Sequence, residues 1–437
     1  MRCKHPLLAA VVCLTALMTS CQAATGPPQD VTVGHRFRPT TDPVISSPLA
    51  WDFDQDGVME IAVGSWDGHF YLLDADLHDL PGWPKTSRRG FFSSPALADL
   101  DRDGAMEIVV GSDRGLVYAW NHDGSSVTGF PVELDGQIWS SPTVLDGPLV
   151  ALGADQRLVL LDSSGDDVPG WPQPINGWAD ATAASDGRVL VITSLTRGDP
   201  SKGWLTAWNL TGQRLPGFPI PLTRDSDSSP ALARFDQDEE LWIVVGDDAG
   251  YLHVVDMEGR EREGFPVRTR GVTAGPTPTP HPPGGTIHSI EASPAVADLD
   301  GDDTLEIVVG SWDGRIYIWD DAGHPLPGWP IQVQDQIISS AALVDLTGDN
   351  GLDIVVGSKD GHLYGWSVDA RPLPGFPHRL GAPVFSSPWV GDLEADGRAD
   401  IVVGADNGIH ILRDVGPLGQ GAWPMFHRDP QHTGVAP

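Results

Sequence analysis

Asp52-Phe53-Asp54-Gln55-Asp56-Gly57-Val58-Met59-Glu60 runs directly into the apolar Ile61-Ala62-Val63-Gly64. Near copies stand at Asp99 to Glu107 before Ile108-Val109-Val110-Gly111, and at Asp298 to Glu306 before Ile307-Val308-Val309-Gly310. Looser copies occupy Asp345 to Asp353 and Asp392 to Asp400. Acids at positions 1, 3, 5 and 9 with a glycine at or next to position 6 place hard oxygen donors around a tight turn, a donor set that suits calcium. Without a cation these like charges repel one another at short range. A helix-flanked calcium loop would carry its bidentate Glu at position 12, whereas this acid comes at position 9 and the flanks read as β-strands.

Outward from these loops, a second marker sets the period. An aromatic residue followed by proline occurs at Trp83, Phe130, Trp171, Phe218, Phe265, Trp329, Phe376 and Trp423, with spacings of 47, 41, 47, 47, 64, 47 and 47. Repeats of this length, rich in short strands, are the size of propeller blades. Residues 93–133 show the unit: Pro95 to Ala98, the acidic loop, Ile108 to Gly111, a Ser-Asp-Arg-Gly turn, Leu116 to Trp120, and an outer strand opened by Phe130-Pro131-Val132. The expectation is an all-β chain forming a single β-propeller of eight four-stranded antiparallel blades, about 47 residues each, with seven blades as the alternative. The aromatic of the marker is expected to pack on its blade edge or on the neighbouring blade. Ser-Ser-Pro at 46–48, 93–95, 140–142 and 228–230 is periodic, and so reads as the start of a strand rather than as a set of nucleophiles.

The irregular spacings mark degenerate units. Leu145-Asp146-Gly147-Pro148 and Ser185-Asp186-Gly187 stand where acidic loops belong, and Arg234 replaces the first acid of the next, leaving Asp236, Asp238 and Glu240 out of pattern. These units are expected to hold no metal, or at best a weak one in the third of them. The 64-residue interval contains an insertion from about Gly271 to Gly285, rich in Pro, Thr and Gly, that reads as a surface loop. Closure of the ring has two candidates. Gly34 to Pro39 resembles the outer-strand segment Gly375 to Arg379, and Trp423-Pro424-Met425-Phe426 competes for the same place.

The chain has 437 residues and a net charge of -33. Such acidity argues against nucleic acid and anionic membrane as ligands. Arg2 and Lys4, then an apolar run from Leu7 to Met18, have the layout of an export signal, too short to span a bilayer. Leu17-Met18-Thr19-Ser20-Cys21 resembles a bacterial lipobox, which implies lipidation of Cys21 and anchoring in the cell envelope, with soluble periplasmic or secreted export as the alternative. The expected organisation is a signal peptide at 1–20, a tether and possible closing strand at 21–43, and the propeller at 44–437. All three cysteines, Cys3, Cys13 and Cys21, lie in or at the end of the leader, so no disulfide braces the exported body.

The pattern Asp-x-Asp-x-Asp-Gly-x-x-Glu-Ile-Val-Val-Gly followed by Ser-x-Asp-Gly resembles the FG-GAP or VCBS repeat of integrin alpha-subunit propellers and many exported bacterial proteins. That resemblance implies calcium held by side chains at positions 1, 3, 5 and 9 and by the carbonyl at position 7. Carried onto this sequence, the ligands are Asp52, Asp54, Asp56 and Glu60; Asp99, Asp101, Asp103 and Glu107; and Asp298, Asp300, Asp302 and Glu306. The seventh unit departs at Thr347 and Asn350, leaving Asp345, Asp349 and Asp353, and the eighth offers Asp392, Glu394, Asp396 and Asp400. About five calcium sites are implied. The tail from Trp423 to Gly434 resembles a segment of quinoprotein-like propellers and reads as closure architecture.

Strand alternation puts the acidic loops on one face of the ring and the remaining turns and crossovers on the other. That second face gathers Trp66, Arg114, Trp312 and Lys359 from turns, with Arg88, Arg89, Trp139, Arg268 and Arg270 from crossovers. Basic and aromatic groups on an acidic body suit a protein or anionic glycan partner. No Gly-x-Ser-x-Gly elbow, His-Glu-x-x-His or Walker loop is present. The expectation is a non-catalytic calcium-binding propeller in adhesion or scaffolding, with a propeller-type enzyme, a polysaccharide lyase or quinoprotein dehydrogenase, as the alternative.

Overall fold

In the computed structural model, residues 33–196, 201–235, 240–273 and 286–437 are described, so the leader, Cys21 and the tip of the insertion lie outside the described residues. Short antiparallel strands follow one another as the sequence spacing predicts, in eight blades arranged as a β-propeller. The first blade is made of Leu49–Trp51, Glu60–Gly64, His69–Leu73 and Lys85–Thr86. Its second strand, Glu-Ile-Ala-Val-Gly, is buried throughout, which is why it is apolar on both faces rather than alternating. Gly68 turns the chain into the third strand with φ at +84°, and a Cβ there would lie 2.8 Å from the Ser87 carbonyl of the passing crossover.

The core lies between blades. Ile61, Leu72 and Phe70 of the first blade pack in one cluster with Ile108, Val110 and Trp120 of the second and with Trp389, Val402 and Ile411 of the eighth. Each such side chain contributes about 1.5–3 kcal/mol on burial. The aromatic-proline marker seals these contacts as expected. The Trp83 indole donates to the His122 carbonyl at 2.8 Å, Trp171 to Leu210 at 2.9 Å and Trp329 to Val368 at 2.8 Å, in each case a turn of the following blade.

The N-terminus closes the ring. Gly34–Pro39 pairs antiparallel with Gly408–Pro417 as the outer strand of the eighth blade, whose inner three strands come from the far end of the chain. Trp423 does not compete for that position. Gly421–Trp423 instead adds a fifth strand to the inner edge of the seventh blade, beside Ala342–Val344. From there the tail crosses the hub of the ring. Backbone amides of Val390, Leu97, Val144, Ser185 and Leu232, on five blades, donate in turn to the carbonyls of Pro424, Pro430, Gln431, Thr433 and Gly434 at 2.7–2.9 Å. The tail thereby satisfies donors on inner strands that have no further strand beside them.

The Ser-Ser-Pro repeat has a structural role at this hub. The second residue of each pair builds a closed circle: the Ser47 amide donates to Ser94 Oγ, Ser94 to Ser141, Ser141 to Thr182, Thr182 to Ser229, Ser229 to Ser293, Ser293 to Ser340, Ser340 to Ser387 and Ser387 to Ser47, all at 2.9–3.3 Å. The first serine accepts from the glycine that ends its own blade's second strand, as in Gly111 to Ser93 at 3.1 Å.

Candidate functional site

Each acidic loop leaves the inner strand and returns into the second. In all five loops positions 4 and 6 take left-handed φ: Gln55 and Gly57, Arg102 and Gly104, Gly301 and Asp303, Gly348 and Asn350, Ala395 and Gly397. This accounts for the drifting glycine, since it relieves strain at either position. The position-5 carboxylate accepts the position-7 amide, as in Asp56 from Val58 at 2.8 Å and Asp103 from Ala105 at 2.8 Å. The position-9 acid accepts the position-2 amide with one oxygen: Glu60 from Phe53 at 2.9 Å, Glu107 from Leu100 at 2.6 Å, Glu306 from Leu299 at 2.8 Å, Asp353 from Leu346 at 2.8 Å and Asp400 from Leu393 at 3.1 Å. Position 9 is thus fixed by the backbone through one oxygen, and in the first two loops Glu60 and Glu107 also bring an oxygen to the acidic cluster.

Three loops bring their acids together. Asp52, Asp54 and Glu60, then Asp99, Asp101 and Glu107, then Asp298, Asp300 and Asp302 each place one oxygen within 4.8 Å of the others. Asp56, Asp103 and Glu306 stand outside these tight triples. Glu107 is 1% exposed, and its Oε1 is buried among the described residues with no hydrogen-bond donor. Burial, then the neighbouring Asp residues, push Glu60, Glu107 and Glu306 up to about 7 against an amide bond that opposes the shift. A buried acceptor with no donor, amid carboxylates raised by burial and mutual repulsion, fits a divalent cation.

The seventh and eighth loops differ. Among the described residues Asp345, Asp349 and Asp353 do not converge as those triples do, Thr347 standing in place of an acid, and Gly419 of the tail packs against Asp345. In the eighth, Glu394 pairs instead with Arg413 at 2.6 Å, and Asp400 spends its second oxygen on the Asp414 amide at 3.1 Å. Asp392 and Asp396 remain loop acceptors, for Gly397 at 2.7 Å and Arg398 at 2.9 Å. Asp236 and Asp238 lie outside the described residues. A further acidic group not anticipated from the motif, Glu240, Asp256 and Glu258, is bridged by Arg260, which reaches Asp256 and Glu258 at 2.6 Å each. Glu240 lies just before the strand Trp242–Gly246, Asp256 ends the strand Tyr251–Asp256 and Glu258 follows in a turn, so the acidic-loop spacing does not mark the group.

The opposite face separates the residues expected there. Trp312 is only 9% exposed, with the Lys359 ammonium 5.5 Å from its ring centroid, so it is a packing residue rather than a surface contact. Arg268 folds back over Tyr251 at 4.8 Å and donates to the Ala249 carbonyl. Arg270 is exposed beside the base of the insertion. Arg88, Arg89 and Arg114, by contrast, line one surface notch of about 480 Å³ with Asp113 and Gln137. Asp113 is engaged by Arg89 at 3.0 Å, Gln137 at 2.8 Å and the Trp139 indole at 2.9 Å. Trp139 stacks on Phe92 at 5.1 Å, and Phe92 meets Trp66 edge-on at 4.7 Å, leaving Trp66 45% exposed at the end of the strip.

Residues 52–110 match the family model described as FG-GAP-like repeat. Among solved structures, the computationally designed Ika8 protein is similar with a TM-score of 0.56 at 16% identity, covering 86% of this chain and 98% of that one. BamB from Moraxella catarrhalis is similar with a TM-score of 0.54 at 16% identity, covering 84% of this chain and 95% of that one. At this identity the likeness is one of fold. No curated protein matches the chain.

Proposed function

From the premise that the chain is a β-propeller protein carrying FG-GAP repeats, we propose that it is a non-catalytic, calcium-stiffened binding or scaffolding propeller, exported and lipid-anchored through Cys21 to a bacterial envelope. Calcium is held by the loops of the first, second and sixth blades. The opposite face receives a protein or glycan partner.

The observation that supports this reading most is the division of labour between the two faces. One face holds converging carboxylates that a divalent cation would pin. The other presents a cationic notch beside an aromatic strip on a body of net charge -33. Cations bound in the acidic loops would reduce the repulsion among them and stiffen the connection from inner to second strand.

The test is a binding screen of the full exported chain against envelope glycans and proteins, in calcium and in chelator. The expected result is a partner retained by the wild type and lost when Arg88, Arg89 and Arg114 are replaced by Ala. Retention of every partner by that variant would overturn the choice of face. Turnover of an acidic polysaccharide by the purified chain would overturn the non-catalytic reading.

A further inference from the structure

The notch on the crossover face is more selective than the face as a whole. Arg88 and Arg114 are both exposed, and neither guanidinium makes an ion pair or hydrogen bond among the described residues. The notch's own acid, Asp113, already accepts three donors, from Arg89, Gln137 and Trp139. Two planar forks are therefore available beside a carboxylate whose charge is largely answered. Arginine forks match a carboxylate in bidentate geometry.

The aromatic strip adjoins these forks through the chain itself. Gly90, directly after Arg88 and Arg89, passes so close to Trp66 that a Cβ would lie 2.7 Å from its Cα and 2.9 Å from its Cδ1. Trp66 is one of the few large apolar side chains left exposed, and Phe92 and Trp139 hold the strip behind it. An exposed flat ring next to guanidinium groups offers a stacking surface for the apolar face of a sugar and a charge clamp for its acid.

Resting on the reading that this face binds the partner, we propose that the Arg88–Arg114 notch and Trp66 together bind a carboxylate-bearing sugar, a uronic acid unit of an acidic glycan. The carboxylate lies between Arg88 and Arg114, and the pyranose ring lies toward Trp66. Arg89 is a positioning residue, since its contact is with Asp113.

Isothermal titration of the full chain in calcium with tetragalacturonate tests this, with an uncharged galactan tetrasaccharide and tetraglutamate as comparison ligands. The expected result is saturable, salt-sensitive binding of tetragalacturonate with a change in tryptophan fluorescence. Affinity should fall at least about tenfold in the Arg88→Ala/Arg114→Ala double variant, because charge-assisted hydrogen bonds are lost. It should fall severalfold in Trp66→Ala, which also removes the fluorescence change.

The exposed side chains replaced leave the core untouched, and unchanged melting temperatures confirm folded variants. Equal affinity for the neutral tetrasaccharide, or no loss in the double variant, overturns the proposal. Equal affinity for tetraglutamate with no effect of Trp66→Ala assigns the notch to acidic peptide and overturns it likewise. A wild type that ignores tetragalacturonate yet still captures an envelope partner through Arg88, Arg89 and Arg114 defeats the sugar assignment alone and leaves the proposed function standing.

Discussion

The backbone amide of Ser387 donates to Ser47 Oγ at 2.9 Å, joining residues 340 positions apart and completing the circle of hydroxyls around the hub. Both residues are buried, at 5% and 6% exposed. The outer edge of the same blade is closed by Gly34–Pro39, so the seam between chain ends is held at its inner and outer radius.

Ser47→Ala removes the acceptor at that seam and leaves the buried Ser387 amide unpaired. The expected cost is about 1–3 kcal/mol of stability. Ser47→Thr, which keeps a hydroxyl as Thr182 does naturally in the same circle, should cost less. Denaturant unfolding of the two variants checks this, and equal losses would show that the hydroxyl bond contributes nothing.

Calcium removal should destabilise the propeller. A site loaded at 100 times its dissociation constant adds roughly 2.7 kcal/mol, so chelation should lower the melting temperature. Glu107→Gln should lose most of the second blade's share, since the position-9 acid is the one locked by its own backbone. Elemental analysis of dialysed protein that finds no tightly held metal would contradict the assignment.

The acidic loops also set a pH dependence. Glu60, Glu107 and Glu306 are raised to about 7 from 4.5 by burial first and then by their Asp neighbours. In metal-free protein the folded state therefore binds more protons than the unfolded between those values, and the stability these groups contribute is lost as pH rises through about 7. The melting temperature of the wild type relative to Glu107→Gln should accordingly fall across that interval in chelator. In saturating calcium the trend should reverse, because the cation favours the ionised acid. Differential scanning calorimetry at several pH values provides the comparison.

The tail carries an opposite dependence. His432 is fully buried, its Nδ1 3.0 Å from the Pro142 carbonyl, and burial lowers it to about 3 from 6.5. Its contribution is complete above about 6.5 and is lost as pH falls toward 3, where the unfolded state binds the proton that the folded state refuses. Hydrogen exchange corrected for intrinsic rate should show the amides of Leu97, Val144 and Leu232 losing protection at acidic pH before that of Ser94. Simultaneous loss at all four would mean that the tail does not release on its own.

Much of the fold is legible locally. Asp, Gly and Pro at regular spacing specify turns, Ile-Val-Val-Gly specifies a buried strand, and the period of 47 specifies the blade, because each rests on contacts within one unit. The position-9 acid is legible for the same reason, its amide partner being seven residues away. The split among the five loops was visible only in part. Thr347 weakens the seventh loop in the sequence itself, but Arg413 reaches Glu394 from another strand, a contact that loop spacing does not encode.

By itself, then, the sequence determined an all-β repeat, its period and its acidic turns, all properties of short segments with strong local preferences, while the choice of eight blades over seven came from the structure. Tertiary structure alone decided that the second serine of each pair joins its counterpart on the next blade, that the tail occupies the hub, that Trp312 is interior, and that Arg88 and Arg114 share one notch. The reason is radial. Distance from the axis determines which groups of successive blades meet, and nothing within a single repeat specifies that distance until the ring has closed.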